Sequence, residues 1–323
     1  MGNRGTTEAA AVSSLQVSHG SPALSIGLAV RNGKDVVGRC IESVLAQDFT
    51  DFELVICDNV SDDGTVALLE EYARSDSRIA VHLNEANIGS HENMNRVLAL
   101  SSGTLFRWIS ADDWLEPGCL SACAAALERH PDAVGVTTWF TIHTEDGSTR
   151  FEEYRGEFPE SPDPVRRLER MLWFFHAGDA KYDPIYGMYR REALLRSHRL
   201  RPSERTDWLL SVELALLGPI VHVHERLADR MRSYPLGIDR AAFRRRLDPV
   251  RGERLKTSPR RLHRELYALA VSADLTPAQL RRARRALRRF WIKEVVSQAR
   301  SRAADTRARA LRRLADQRAA SGS

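Results

Sequence analysis

The sequence of 323 residues contains only four cysteines, and it has no apolar run near the ~20 residues of a membrane-spanning helix. No Cys-x-x-Cys pair occurs and no histidine cluster accompanies the cysteines, so the pattern of a zinc site is missing. Cys40, Cys57, Cys119 and Cys123 are therefore expected to be reduced thiols in the core of a cytoplasmic protein. Cys119 and Cys123 are four residues apart, which would place them on one face of a helix.

The first 21 residues lack the apolar core of a secretory signal, and we expect them to form a disordered tail. Apolar residues make up 43% of the chain, which predicts a globular core. The charge is divided unevenly. Residues 240–323 carry 24 Lys or Arg and 7 Asp or Glu, whereas residues 1–239 carry 24 and 36. We therefore predict an acidic domain over 22–239 and an Arg-rich helical extension over 240–323.

In the first part of the domain, short apolar segments alternate with segments whose apolar residues recur at helical spacing. Asp35 is placed to cap the first helix, and Ser61–Gly64 and Asn87 begin the next two. The alternation predicts an α/β fold, a Rossmann-like sheet of mainly parallel strands flanked by helices. The predicted strands are 24–30, 52–58, 78–83 and 104–110.

The remainder of the chain gives weaker patterns. Residues 150–165 are polar and proline-rich, which is typical of a mobile loop. From Arg240 onward the spacing is helical and arginine is abundant. The other predicted elements are a strand over 133–142 leading to a hairpin at Asp146–Gly147, a helix around 171–175, a strand over 184–189, a helix over 207–217 and a strand over 220–224.

Carboxylates follow two of the predicted strands. Asp58 ends the second strand, and the pair Asp112–Asp113 follows the fourth. Ligands of such sheets bind beyond the carboxyl ends of the strands, and adjacent carboxylates repel each other unless a cation offsets them. These positions therefore predict a ligand site, with helix capping as the structural alternative, most directly for Asp62.

Several segments together resemble glycosyltransferase family 2 over roughly residues 22–237. The resemblance implies an inverting enzyme with the GT-A fold that uses a nucleotide-sugar donor. The segments that carry it are SIGLAVRNGKD, SVLAQDFTDFELVICDNVSDDGT, NEANIGSHENMNRVLALSSG, ISADDW, IYGMYRREAL and TDWLLSVELALLGPIVHVHERL.

The resemblance also implies which residues bind the nucleotide. Asp58 would form a hydrogen bond with the base, and Asp112 would contact the ribose or the donor sugar. The other nucleotide contacts would come from the loop beneath the uridine and from the segment before the third helix: Ala29, Val30, Arg31, Asn32, Asn87 and Gly89.

A metal ligand and a base are implied in the same way. Asp113 would bind Mg²⁺ or Mn²⁺ on the diphosphate, and both ions suit oxygen ligands. Asp207 begins a helix 94 residues after Asp113, where the family places the general base; an N-cap is the alternative.

The sequence departs from the family pattern at three places. Ala29 and Arg31 replace the usual Pro and aromatic residue, and Thr206 stands where many members have Glu. The late metal-binding His is replaced by Ser233 or Tyr234. His222 and His224 lie nearby, but they alternate on a strand and are interpreted as structural.

The sequence therefore predicts a hexosyl- or N-acetylhexosaminyltransferase that uses a UDP-sugar. Its acceptor would be a hydroxyl of a natural product, a glycan or a lipid-linked intermediate. A sugar nucleotidyltransferase is the alternative enzyme, but residues 30–33 are too short and too poor in glycine for its phosphate loop.

The basic extension allows other interpretations. Its aromatic residues are not interleaved with the basic runs, so nucleic-acid binding is not expected. Peripheral membrane contact and self-association stay open, and the plainest expectation is that the extension packs on the acidic domain. Two apolar patches would mediate this packing, one of Leu262, Leu266 and Leu269 and one of Trp291, Ile292, Val295 and Val296.

Overall fold

The computed structural model describes residues 21–177, 184–232 and 240–321. Single 3₁₀ turns cover Pro184–Tyr186 and Gly252–Leu255. The strands are β1 (Leu24–Val30), β2 (Phe52–Asp58), β3 (Ile79–Leu83), β4 (Leu105–Ile109), β5 (Trp114–Leu115), β6 (Gly135–Thr144), β7 (Thr149–Glu152), β8 (Met188–Arg190) and β9 (Ile220–Arg232). The helices are α1 (Val37–Leu45), α2 (Thr65–Ser75), α3 (Ser90–Leu100), α4 (Cys119–Arg129), α5 (Pro164–Phe174), α6 (Arg191–Arg196), α7 (Thr206–Leu217), α8 (Arg240–Leu247), α9 (Pro259–Ser272) and α10 (Pro277–Ser321).

The strands form one sheet in the order β3-β2-β1-β4-β8-β6-β9-β5, with β7 paired to β6. β1 pairs in parallel with β2 and β4, and β2 pairs in parallel with β3. β8 runs antiparallel to β4 and β6, while β6 and β9 are parallel. The α/β class with helices at its C-terminal end is confirmed, and beyond β4 the sheet is mixed.

The sheet is covered on both faces because its strands are apolar on both sides. Leu24, Ile26 and Leu28 of β1 pack with α1 and α4 on one face. Val55 and Cys57 of β2 pack with α3, α5 and α7 on the other. All four cysteines are buried and free, as the sequence predicts.

The C-terminal extension continues the second of these layers. Leu262, Leu266 and Leu269 of α9 are buried in it together with Leu287 and Phe290 of α10. The first predicted patch is therefore confirmed as a packing surface. None of the helices that the structure describes is long and apolar enough to cross a membrane.

The second predicted patch is only partly a packing surface, since Trp291 is half-buried against His263 of α9 and the other three residues are not. Ile292, Val295 and Val296 are exposed, because α10 turns a different face inward. Residues three or four apart share one side of a helix, and here that side carries Leu287, Phe290 and Glu294.

Two local predictions are wrong, and the loop predicted over 150–165 holds only for residues 153–163. Residues 150–165 are not a loop throughout, since β7 ends at Glu152 and α5 begins at Pro164, with Asp163 accepting a hydrogen bond from Val165 N (2.9 Å). Residues 184–189 are a 3₁₀ turn followed by β8 instead of one strand. Asp35 does not cap α1, which starts after Val36 with no side-chain cap among the described residues.

Candidate functional site

The carboxyl ends of β1, β2 and β4 border a cavity of about 620 Å³. Later segments of the chain complete its wall, with Asp207 at the start of α7, Arg230 on β9 and Phe243 on α8. Eight of the residues predicted for the site line this cavity: Ala29, Val30, Arg31, Asn32, Asn87, Asp112, Asp113 and Asp207.

The loop after β1 is bonded to the loop after β2. Asn32 adopts a left-handed conformation (φ 53°), which asparagine tolerates better than most residues. Its backbone N–H donates to Ser61 Oγ (2.8 Å), and its side-chain amide donates to Asp62 Oδ1 (2.8 Å). Asp62 therefore braces this loop and does not cap α2. Asp63 instead bonds the first turn of α2, because it accepts a hydrogen bond from Thr65 N (2.9 Å).

Asp58 lies behind the cavity wall. Its side chain is 1% exposed, and its carboxylate accepts hydrogen bonds from Ser61 N (2.9 Å) and from Ser61 Oγ. Of the described residues in this turn, Asn59 and not Asp58 lines the cavity. The Asp58 carboxylate closes the turn that presents Asn59, and its direct contact with a base stays a prediction.

Four buried or half-buried asparagines support the wall at Asn59. The Asn59 side-chain amide donates to Asn87 Oδ1 (2.8 Å). Asn84 donates to Asn59 Oδ1 (3.0 Å) and Asn93 Oδ1 (2.8 Å), and Asn93 donates to the Cys57 carbonyl (2.8 Å). Such a connected set of buried amides fixes side-chain positions, because breaking one bond leaves a polar group unpaired.

Gly89 shapes the wall without lining it. It takes a positive φ of 84° and donates its N–H to Asn87 Oδ1 (3.0 Å). Among the described residues of this segment, Asn87, Ser90 and His91 line the cavity. Gly89 thus serves the backbone conformation of this segment, and the direct nucleotide contact that the resemblance implies for it stays a prediction.

Asp113 is 5% exposed and is held from two sides. Its Oδ2 accepts from Arg230 Nε (3.2 Å), and its Oδ1 accepts from Met231 N (3.0 Å). Burial raises the pKa of Asp113 to about 6, and the Arg230 guanidinium opposes that rise. The neighbouring Asp112 accepts from Ser110 Oγ (2.5 Å). Two carboxylates and one guanidinium therefore meet at the end of β4.

The donor set here suits a hard divalent cation. Asp112 and Asp113 offer carboxylate oxygens, the ligands that Mg²⁺ and Mn²⁺ prefer. The described residues contain no cluster of three or more His, Cys, Asp or Glu side chains placed to enclose an ion. The residues therefore fit a cation that takes its remaining ligands from a bound diphosphate and water, as Mg²⁺ commonly does. Ser233 and Tyr234 lie outside the described residues.

Asp207 lies in the first turn of α7, directly after Thr206. The N-cap residue is Arg205, so the capping alternative for Asp207 is wrong. The carboxylate still lies near the positive end of the helix dipole, where a negative charge stabilises the helix. An ionised carboxylate on the cavity wall can accept a proton from a bound hydroxyl.

The histidines on β9 have structural surroundings. The His222 ring stacks on Phe158, with 3.9 Å between ring centroids, and its Nδ1 is 2.8 Å from Thr137 Oγ1. Burial lowers the pKa of His222 to about 3, so the ring is neutral. Its neighbour His224 packs edge-on against Trp139. These contacts agree with the structural interpretation.

Sequence reasoning missed some residues of the wall. Arg230 was missed because β9 continues to Arg232, well beyond the predicted strand end at residue 224. A weak signal existed, since Leu227 and Met231 fall at the same alternate positions as Val221 and Val223. Glu204, Phe243 and Leu247 come from a loop and from α8, which carry no local mark of a site.

Comparison with known proteins agrees with this geometry. Residues 25–196, more than half of the chain, match a family described as glycosyl transferase family 2. The chain belongs to glycosyl transferase family 2. An uncharacterized glycosyltransferase of Haemophilus influenzae is 25% identical over 214 residues, which are 64% of each chain. The chain thus spans less than two thirds of that relative's length.

Two solved structures show the same fold as this family 2 chain. One is S. aureus TarS 1–349 in complex with UDP, with a TM-score of 0.60, 18% identity, and coverage of 83% of this chain and 70% of that one. The other is the mannosyltransferase PcManGT of Pyrobaculum calidifontis with GDP-Man and Mn²⁺. Its TM-score is 0.50 at 16% identity, covering 88% of this chain and 80% of that one.

Proposed function

We propose that this family 2 protein transfers a sugar from a nucleotide-sugar, most directly a UDP-sugar, to an acceptor hydroxyl with inversion at the anomeric carbon. One observation carries the proposal. Asp112, Asp113 and Asp207 come from distant parts of the sequence and line one cavity beside the ends of β1 and β2. The parts of the cavity proposed to hold the nucleotide, the cation and the base are thereby adjacent.

Each residue has a separate task in this proposal. Asn32 and Asn59 line the part of the cavity that would receive the nucleotide, and Asp58 acts by holding the turn that presents Asn59. The guanidinium of Arg230 lies against Asp113, where it would supply a fixed positive charge near the diphosphate. A divalent cation held by Asp113 and Asp112 would offset the charge that develops on the leaving diphosphate.

Asp207 is the proposed general base. It would take the proton from the acceptor hydroxyl as that oxygen bonds to the anomeric carbon. The bond from this carbon to the diphosphate breaks, and its electron pair stays on the nucleoside diphosphate. Direct displacement of this kind inverts the configuration at carbon.

The donor class draws support from the structural neighbours. TarS binds UDP and UDP-GlcNAc in solved complexes, and PcManGT binds GDP-Man with Mn²⁺. We propose a UDP-linked hexose or N-acetylhexosamine for this chain. The acceptor is proposed to be a hydroxyl of a glycan, a lipid-linked intermediate or another small molecule.

Donor binding tests the proposal directly. The melting temperature of the wild type should rise with a UDP-sugar plus Mn²⁺. It should rise less with a GDP- or TDP-sugar, or when EDTA replaces Mn²⁺. Asp113→Asn should remove the metal-dependent part of the shift and the metal-stimulated hydrolysis of the donor, because it removes a charged oxygen ligand. Asp274→Asn, an exposed carboxylate on the extension, is the matched control.

Two results would contradict the proposal. Wild-type protein that no nucleotide-sugar stabilises would have no donor site. Full activity of the Asp113 variant with EDTA present would remove the cation from the mechanism.

A further inference from the structure

The cavity wall has two chemically different parts. The part formed by β1, β2 and β4 is mainly polar or charged, with Ala29 and Val30 as its apolar members. The remainder includes six apolar side chains from α3, the 3₁₀ turn before β8, the loop before α7, and the α8 region. They are Met94, Ile185, Leu200, Phe243, Leu247 and Pro249.

The apolar part is built against the segment that carries the candidate base. Leu200, Glu204 and Thr206 line the cavity just before Asp207 in the chain. Thr206 is fixed to this loop, because its Oγ1 accepts a hydrogen bond from Arg201 N (2.7 Å). The base and the apolar surface are therefore parts of one local structure.

A buried ion pair fastens α8 to that segment. Arg244 lies on α8 between Phe243 and Leu247, is almost fully buried, and donates from Nη1 to Glu204 Oε2 (3.1 Å). The Glu204 backbone N–H also donates to the Leu255 carbonyl (2.9 Å). A buried charge that loses its partner is costly, so this pair holds α8 in place beside Asp207.

The other end of α8 meets the start of α3. Asp248 follows α8, and a Cβ at Gly89 would lie 3.3 Å from its Cγ. Asp248 also accepts hydrogen bonds from Val250 N (3.0 Å) and Arg251 N (2.7 Å). The helix is thus fastened to the loop before α7 through Glu204 and approaches α3 closely at Gly89, although it belongs to the Arg-rich extension.

We propose that α8 is the acceptor-binding wall and that the acceptor carries an apolar group beside the hydroxyl that is glycosylated. The apolar group packs against Phe243 and Leu247 and directs the hydroxyl toward Asp207. This inference rests on the proposed function, because it takes Asp207 as the base. Phe243 and Leu247 line the cavity, so an apolar group on the acceptor would gain a contact with them that a purely polar acceptor would not.

Matched acceptor probes test this wall. With UDP and Mn²⁺ present, binding of phenyl and methyl β-D-glucopyranoside is compared by calorimetry, and the comparison is repeated with the galactoside and N-acetylglucosaminide pairs. We expect the phenyl member of at least one pair to bind about tenfold more tightly, the scale of partial burial of one ring.

Variants then test whether Phe243 and Leu247 cause the preference for the phenyl glycoside. Phe243→Ala and Leu247→Ala should each reduce it to about threefold or less, while the UDP dissociation constant is unchanged. Val250→Ala is the control, because Val250 follows the same helix but is 80% exposed. Melting curves of every variant show whether the fold is kept.

The outcomes separate this inference from the proposed function. Equal or undetectable binding of both members of every pair, or a preference that survives both variants, would overturn the acceptor wall while donor binding stands. Weaker UDP binding in Phe243→Ala would assign the wall to the donor instead. A wild type that binds no nucleotide would remove both.

Discussion

Single residues in this site often have two physical roles, and Asp207 is the clearest case. Its carboxylate lines the cavity, and it also lies in the first turn of α7, where a negative charge stabilises a helix by about 0.3–1 kcal/mol. A substitution therefore changes both catalysis and stability, and the two effects must be measured separately.

For Asp207→Asn, we expect the turnover number to fall by about 10²–10⁴-fold, because the acceptor proton loses its base. Donor affinity should be unchanged, and the melting temperature should change little. Glu192→Gln is the matched control, since Glu192 is an acidic first-turn residue of α6. Normal turnover together with early melting would show that Asp207 serves only the helix.

At the same scale, the sequence predicted which residues lie near the site better than it predicted where their side chains point. Asp112 and Asp113 were recognised because adjacent carboxylates after a strand need a cation or a ligand. The direction of Asp58 could not be predicted, because it depends on Ser61 folding back to bond with it. Arg230 could not be predicted as the partner of Asp113, since the two residues are 117 positions apart.

At the scale of elements, local patterns predicted β1 to β4 well because each strand is a short apolar run between turns. They failed for β9, where charged residues follow His224. The pairing of β9 with β6 shifts register around Trp139, and this irregularity lets the strand continue to Arg232. Such a register is set by tertiary packing, which no local pattern contains.

Strand β9 also makes the fold sensitive to acid. Burial lowers the pKa of His222 to about 3, below the ordinary histidine value of 6.5. Below pH 6.5 the His222 ring is protonated in the unfolded chain but stays neutral in the folded protein. The free energy of unfolding therefore decreases as the pH falls. The slope for this one group reaches about 1.4 kcal/mol per pH unit until the folded ring titrates.

We therefore predict that His222→Asn narrows the difference in unfolding free energy between pH 7 and pH 5. His91, whose pKa burial lowers to about 4, should retain part of the difference. Urea unfolding at the two pH values measures the effect, and His130→Asn at an exposed position is the control. An unchanged pH dependence in His222→Asn would show that this ring titrates in the folded state.

At the scale of the whole molecule, the Arg-rich extension is part of the folded body. Its α9 and α10 contribute Leu266, Leu287 and Phe290 to the layer that contains α5 and α7. Ion pairs add to this packing, including Arg282 with Asp163 (2.7 Å). That pair is exposed enough that salt screens it, so apolar contact is the main source of attachment.

Leu266→Ala should lower the free energy of unfolding by about 2–5 kcal/mol, because Leu266 is 0% exposed and its removal leaves a cavity. Scanning calorimetry should show one transition moving as a whole. Val271→Ala, at an exposed position on the same helix, should change little. A second, separate transition in Leu266→Ala would mean that the extension unfolds independently of the body.

Beside the cavity, Val60 has a positive φ of 62°, a conformation that a β-branched residue adopts at a cost of roughly 1–2 kcal/mol. The bonds between Asp58 and Ser61 on either side of it offset this cost. This imposes an order on how the turn can change during evolution. Replacing Asp58 or Ser61 first would leave the strained valine without support. A glycine at position 60 would remove the strain, and Asp58 and Ser61 could then be replaced without that cost. A change of nucleotide preference at this turn would therefore begin with replacement of Val60, its exposed residue.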